Sequence, residues 1–107
     1  MKSRLITLTL VLAAGCLQTQ FVRTNPPPRA LTPRDTAQLA VYTTIAPDRP
    51  YVEIGMVMSR APDGSLAYPK ATLLQEVREE AARQGCDGII YAAGAANVAE
   101  ATCIVFK

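Results

Sequence analysis

The chain has 107 residues and contains neither histidine nor tryptophan. Without histidine it lacks the side chain that most often acts as general base and metal ligand near neutral pH. Serine–histidine and cysteine–histidine nucleophilic arrangements are therefore excluded. Aromatic residues make up 6% of the chain, and alanine supplies 17 of its apolar positions, so any core is built from small side chains. There is no Gly-rich phosphate loop and no supported pair of carboxylates. Glu76, Glu79 and Glu80 read as the solvated face of a helix. Long apolar runs are missing as well. The longest extends from Leu5 to about Leu17, is broken by Thr7 and Thr9, and falls short of the roughly 20 residues a membrane-spanning helix needs. These absences argue against an enzyme, and they leave no cofactor or metal site in view.

What is present begins at the N-terminus. Lys2 and Arg4 precede the apolar run Leu5 to Ala14, which ends in Leu12-Ala13-Ala14-Gly15-Cys16. Charged, apolar and small-residue regions in that order describe a secretory signal peptide over residues 1–15. A cysteine directly after Ala-Ala-Gly resembles the lipobox of bacterial lipoproteins, with Ala13 where that family most often has leucine. The resemblance implies cleavage before Cys16 and its acylation, palmitate included. It also implies anchoring to the bacterial cell envelope, and Leu17 in place of an aspartate points to the outer membrane. Two alternatives stay open: an ordinary cleaved signal with a free Cys16, and an uncleaved chain in which Cys16 is structural. Losing Lys2 and Arg4 leaves nine basic and nine acidic residues. The mature chain is then neutral, with no electrostatic case for nucleic-acid binding.

Residues 16–37 read as a lipidated N-terminus and tether. Pro26-Pro27-Pro28 and Pro33 block helix and favour extended chain. About 20 such residues span roughly 60 Å at ~3.1 Å each. They serve either as a spacer off the membrane or as a generic soluble linker. The folded part is expected over residues 38–107 as a small α+β domain of order ββαββ, a mainly antiparallel sheet with one helix on one face. The strands are expected at Leu39–Ile45, Tyr51–Met58, Asp87–Ala92 and Ala101–Phe106. In the second, alternation places Val52, Ile54, Met56 and Met58 on one face and Tyr51, Glu53, Gly55 and Val57 on the other. Met56 and Met58 read as core; their sulfurs would suit Cu(I) only with further soft ligands. Leu73, Leu74, Val77 and Ala81 mark the helix, which Gly85 ends. The spacing also places Glu76 beside Glu80 and Glu79 beside Arg83 on its surface.

With Cys16 acylated, Cys86 and Cys103 remain as an even pair, and an oxidising envelope favours a disulfide between them. Free buried thiols and a redox switch are the alternatives. If the two lie directly opposite each other, Ala92 faces Asn97 and residues 93–96 close the hairpin. One helix covers only one sheet face. Yet Tyr42, Tyr51 and Val57 give the other face apolar or aromatic residues. That face reads as a surface for a protein partner or a second copy, unless tether or loops cover it or the scattered tyrosines simply sit at the surface.

Three stretches resemble the RcsF-like outer-membrane sensor lipoproteins: Pro50-Tyr51-Val52-Glu53-Ile54-Gly55-Met56-Val57, Ala81-Ala82-Arg83-Gln84-Gly85-Cys86-Asp87-Gly88 and Ala101-Thr102-Cys103-Ile104-Val105. The looser similarity is to the small ββαββ proteins of the YbjQ type, which form rings. The resemblance implies a lipid anchor, a Pro-rich tether and a small α+β domain that binds an envelope protein and takes part in stress sensing. The chain departs in having two domain cysteines where the sensors have four. Cys103 matches a sensor cysteine and Cys86 matches none. The alternative is a structural or self-assembling lipoprotein, a homo-oligomer without a signalling role.

Overall fold

The computed structural model describes residues 18–62, 69–92 and 97–107. The expected signal segment and Cys16 lie outside that range, as do residues 63–65 of the expected loop after Arg60 and the hairpin closure 93–96. The elements are β1 (Gln18–Arg23), a 3-10 turn (Thr36–Gln38), β2 (Ala40–Tyr42), β3 (Tyr51–Arg60), α1 (Lys70–Arg83), β4 (Gly88–Ala92) and β5 (Val98–Phe106). The strands form one sheet of order β1-β3-β5-β4-β2. All neighbours are antiparallel except β2 and β4, which run parallel. The expected ββαββ arrangement with one helix on one face is present, with β1 added at an edge.

The helix forms where its apolar stripe lies. Leu73, Val77 and Ala81 are fully buried against the sheet. At its surface Arg83 pairs with Glu80 rather than Glu79. Gly85 ends it with φ +81°. The Gly85 N–H donates to the Ala82 carbonyl and the Cys86 N–H to the Ala81 carbonyl, the two hydrogen bonds of a Schellman turn. A Cβ on Gly85 would lie 2.8 Å from both the Leu31 Cβ and the Thr32 carbonyl oxygen. Gly85→Ala is therefore expected to destabilise by about 2 kcal/mol, from the left-handed backbone alone and with further loss from the collision. Urea unfolding of the variant beside the parent measures it.

Strand β3 carries the main departure from simple alternation. Glu53 pairs with Ile104 and Gly55 with Cys103, so Ile54 is an extra, bulged residue. A bulge turns two successive side chains toward one face and reverses the parity beyond it. Ile54, Val57 and Ser59 all become fully buried on the helix side. Met56 and Met58 move to the opposite face, where they are half-buried. They are not core residues: the Met56 sulfur accepts from the Thr102 hydroxyl at 3.5 Å and the Met58 sulfur from Arg60 at 3.6 Å.

The segment expected as a tether is structured from Gln18 onward. β1 pairs with β3 from Gln18 opposite Arg60 to Arg23 opposite Gly55. Thr19 and Phe21 face the core side. The Thr19 hydroxyl meets that of buried Ser59 at 3.0 Å. The Phe21 ring occupies the space that a Cβ on Gly55 would need. The Pro-rich residues 24–37 then run as a strap across one end of the sheet, from the β1 edge to the β2 edge. The Ile54 carbonyl, freed from the ladder by the bulge, accepts from the N–H groups of Thr24 and Asn25. The Asn25 side chain donates to the Glu53 carbonyl. Leu31 packs against the core, and the Arg34 N–H caps the Ala82 carbonyl. The polyproline reading of this segment is compatible with its extended course. Its independence of the domain is not, because each strand end it crosses offers it a hydrogen-bond partner.

Cys86 and Cys103 are joined by a disulfide, with Cα atoms 5.7 Å apart. The register differs from a direct Cys86–Cys103 pairing. Cys103 lies opposite Ile89, and Ala92 opposite Glu100 rather than Asn97. The reason is local: the Schellman turn holds Cys86 at the helix corner, so the paired strand starts only at Gly88.

Candidate partner-binding surface

The sheet face away from the helix is built by alternate residues of each strand. The bulge decides which residues of β3 belong to it. Val57, expected on this face, has no exposure and sits in the core. Tyr42 and Tyr51 are on the face as expected, both half-buried. The Tyr42 ring lies against Gly88, with its edge 3.2 Å from where a Cβ would stand. Tyr51 lies opposite Phe106.

Part of this face is covered. β2 and β3 run in the same direction, so residues 43–50 carry the chain back past β4 and β5. Along this return the Arg49 guanidinium stacks 4.2 Å above the Phe106 ring. The Lys107 N–H donates to the Pro50 carbonyl. Fully buried Ile104, two residues before Phe106, belongs to this sheltered end. Toward the other end the face carries Gln20, Val22, Met56, Met58 and Glu100. Val22 there is 53% exposed.

The strap end carries a cluster of charges. Asp87, 6% exposed, receives three donors. These are Arg29 at 2.8 Å, Arg34 at 2.7 Å and the Phe106 N–H at 2.7 Å. Arg29 also donates to the Phe106 carbonyl at 2.8 Å. Burial by itself pushes the Asp87 carboxyl up. The Arg29 and Phe106 hydrogen bonds, with the charges of Arg29 and Arg34, outweigh it and hold the group below the usual carboxylate range. Around this carboxylate a cleft of about 420 Å³ is lined by Arg29, Arg34, Arg49 and Lys107, with Gln38, Ala40 and Phe106. Four cations surround one acid in a mature chain expected to be neutral. The compensating negative charge includes the outer helix face. There, burial raises the Glu80 carboxyl, but hydrogen bonds from Gln84 and Arg83 and the charge of Arg83 bring it below its ordinary value.

Tyr42 and Tyr51 keep the face that strand parity gives them, whereas the cleft is not legible in the sequence, because its cations come from separate segments. Among the described residues no group of three or more His, Cys, Asp or Glu could hold a metal ion. No helix among them is long and apolar enough to cross a membrane. Tyr91, on the helix side, is pushed up by burial against a smaller lowering from Arg78. Its hydroxyl donates to the Leu74 carbonyl at 3.4 Å.

No protein-family model matches the chain, and no curated protein sequence does. Among solved structures the chain is similar to the Francisella virulence factor FvfA in its orthorhombic crystal form. The TM-score is 0.54 at 18% identity, covering 84% of this chain and 97% of that one. At this identity the likeness concerns the fold alone.

Proposed function

We propose that this is a lipid-anchored, non-enzymatic protein of the bacterial envelope, held in the outer membrane through Cys16, that works by binding another envelope protein. The role in stress sensing follows from the RcsF-like resemblance. The observation that carries partner binding is the cationic cleft of Arg29, Arg34, Arg49 and Lys107 around the single Asp87. Concentrated charge of one sign steers and selects an oppositely charged partner. Tyr42 and Tyr51 stand beside it with the amphipathic rings that interface centres favour. The matching partner surface is a protein segment rich in carboxylates.

The test is in vivo photo-crosslinking from position 49 in the full-length protein, followed by pull-down. A discrete adduct with another envelope protein is expected. Neither Arg49 nor Lys107 forms an ion pair among the described residues, so reversing both charges breaks no salt bridge; the Arg49 stacking on Phe106 is lost, and the variant's melting curve beside the parent's checks that the fold is kept. With the crosslinker at position 51, Arg49→Glu with Lys107→Glu should cut adduct yield at least tenfold. Adducts only with second copies would establish the self-assembling alternative instead. An adduct indifferent to the charge reversal would remove the cleft from the reading.

A further inference from the structure

β1 begins at Gln18, and a single residue, Leu17, separates it from Cys16. Two residue steps extend at most about 7 Å. A flexible tether of about 20 residues reaches roughly 60 Å. The difference decides where the domain can be. Gln18 is paired with Arg60 at the end of β3, and Arg60 with Val98 at the start of β5. The first turn of α1 is at the same end, where the Lys70 ammonium donates to the Val98 carbonyl. We infer that the anchored domain does not stand off the membrane but rests on it. The sheet end made by Gln18, Arg60, Val98 and Lys70 meets the headgroup layer of the bilayer that holds the Cys16 acyl chains. The inference rests on the lipid-anchor reading and adds to it an orientation.

The chemistry of that end fits a headgroup layer. Arg60 is exposed, and among the described residues it has no ion pair with a carboxylate. Its guanidinium can therefore bind lipid phosphate. The nearest acid in the described register is Glu100, opposite Met58, two rungs inward. The strap is at the other end. From Arg60 back to Tyr51 β3 climbs roughly 30 Å at ~3.3 Å per residue. The cationic cleft is thus carried about a domain's length above the bilayer, facing partners rather than lipid.

The experiment uses the acylated full-length protein in vesicles made of envelope lipids that include a headgroup-linked quencher. Mass spectrometry of the N-terminal peptide first establishes whether Cys16 is acylated. A fluorophore is placed at Thr72→Cys, exposed in the first turn of α1, or at Lys107→Cys, exposed at the strap end. Quenching at position 72 is expected to exceed that at position 107 several-fold. Inserting about 20 Gly/Ser residues between Leu17 and Gln18 should abolish the difference. Equal, weak quenching at both positions of acylated protein overturns the orientation and leaves the anchor intact. An unacylated Cys16 overturns the anchor itself, and the orientation with it.

Discussion

Asp87→Asn is expected to lower the stability of the domain by about 2–3 kcal/mol and the melting temperature by roughly 10–20 °C. Removing one partner of a buried ion pair commonly costs about 3–5 kcal/mol, because the other charge is left uncompensated. Arg29 and Arg34 keep 48% and 30% of their side-chain exposure and recover some hydration, which places the effect below that range. Asparagine offers one acceptor oxygen in place of two and turns an NH2 group toward a guanidinium. At 4–8 °C per kcal/mol for a domain of this size, the shift is large. It is also local in origin: hydrogen exchange should quicken first over residues 24–37, before the sheet centre. The pH dependence has a definite sign. The folded Asp87 binds its proton less readily than the unfolded residue, whose pKa is about 3.9. Its stabilisation is complete above that value and is lost as pH falls through the lower folded value. Urea midpoints measured between pH 7 and pH 3 should therefore fall on acidification. The asparagine variant should show a shallower fall, keeping the contribution of Glu80, which is shifted in the same direction.

Loss of the disulfide is expected to have an effect of similar size by a different route. The bridge spans a sequence separation of 17, and closing a loop of that length stabilises by about 3 kcal/mol in the chain-entropy model. Cys86 and Cys103 are both fully buried. Reductant should therefore reach the bridge slowly in the folded protein and quickly once urea opens it. The Cys86→Ala, Cys103→Ala pair should melt roughly 12–24 °C below the parent. A melt unchanged by the double substitution would show that the small alanine-rich core stands without the bridge.

Sequence legibility followed range. The helix was readable because its signals are local: the stripe Leu73, Val77 and Ala81, and Gly85 as its stop. The disulfide partners were readable by redox compartment and number. Their register was not, because Cys86 is the last residue of a capping turn rather than the first of a strand. The face assignment of β3 failed at Ile54. Apolar residues occupy both parities from Val52 to Met58, so alternation gives no warning of the bulge. β1 was hidden by its company. Thr19 and Phe21 point inward from a short polar stretch pressed between an apolar leader and a run of prolines. The strap could not be seen because its ties, Arg29 and Arg34 to Asp87, join residues 58 and 53 positions apart. Of the proposed surface, Tyr42 and Tyr51 were visible from strand parity, whereas Val57 was lost to the same bulge.

The order β1-β3-β5-β4-β2 places the two strands nearest the N-terminus at opposite rims of the sheet. A single continuous stretch, residues 18–42, therefore supplies both edge strands. Unpaired rims are templates for recruiting further strands, and short ones are poor templates. With that stretch in place the rims are the six residues of β1 and the three of β2. Without it they would be the ten residues of β3 and the five of β4. The segment that looks like dispensable spacer thus trims the length of backbone the sheet offers to a foreign strand.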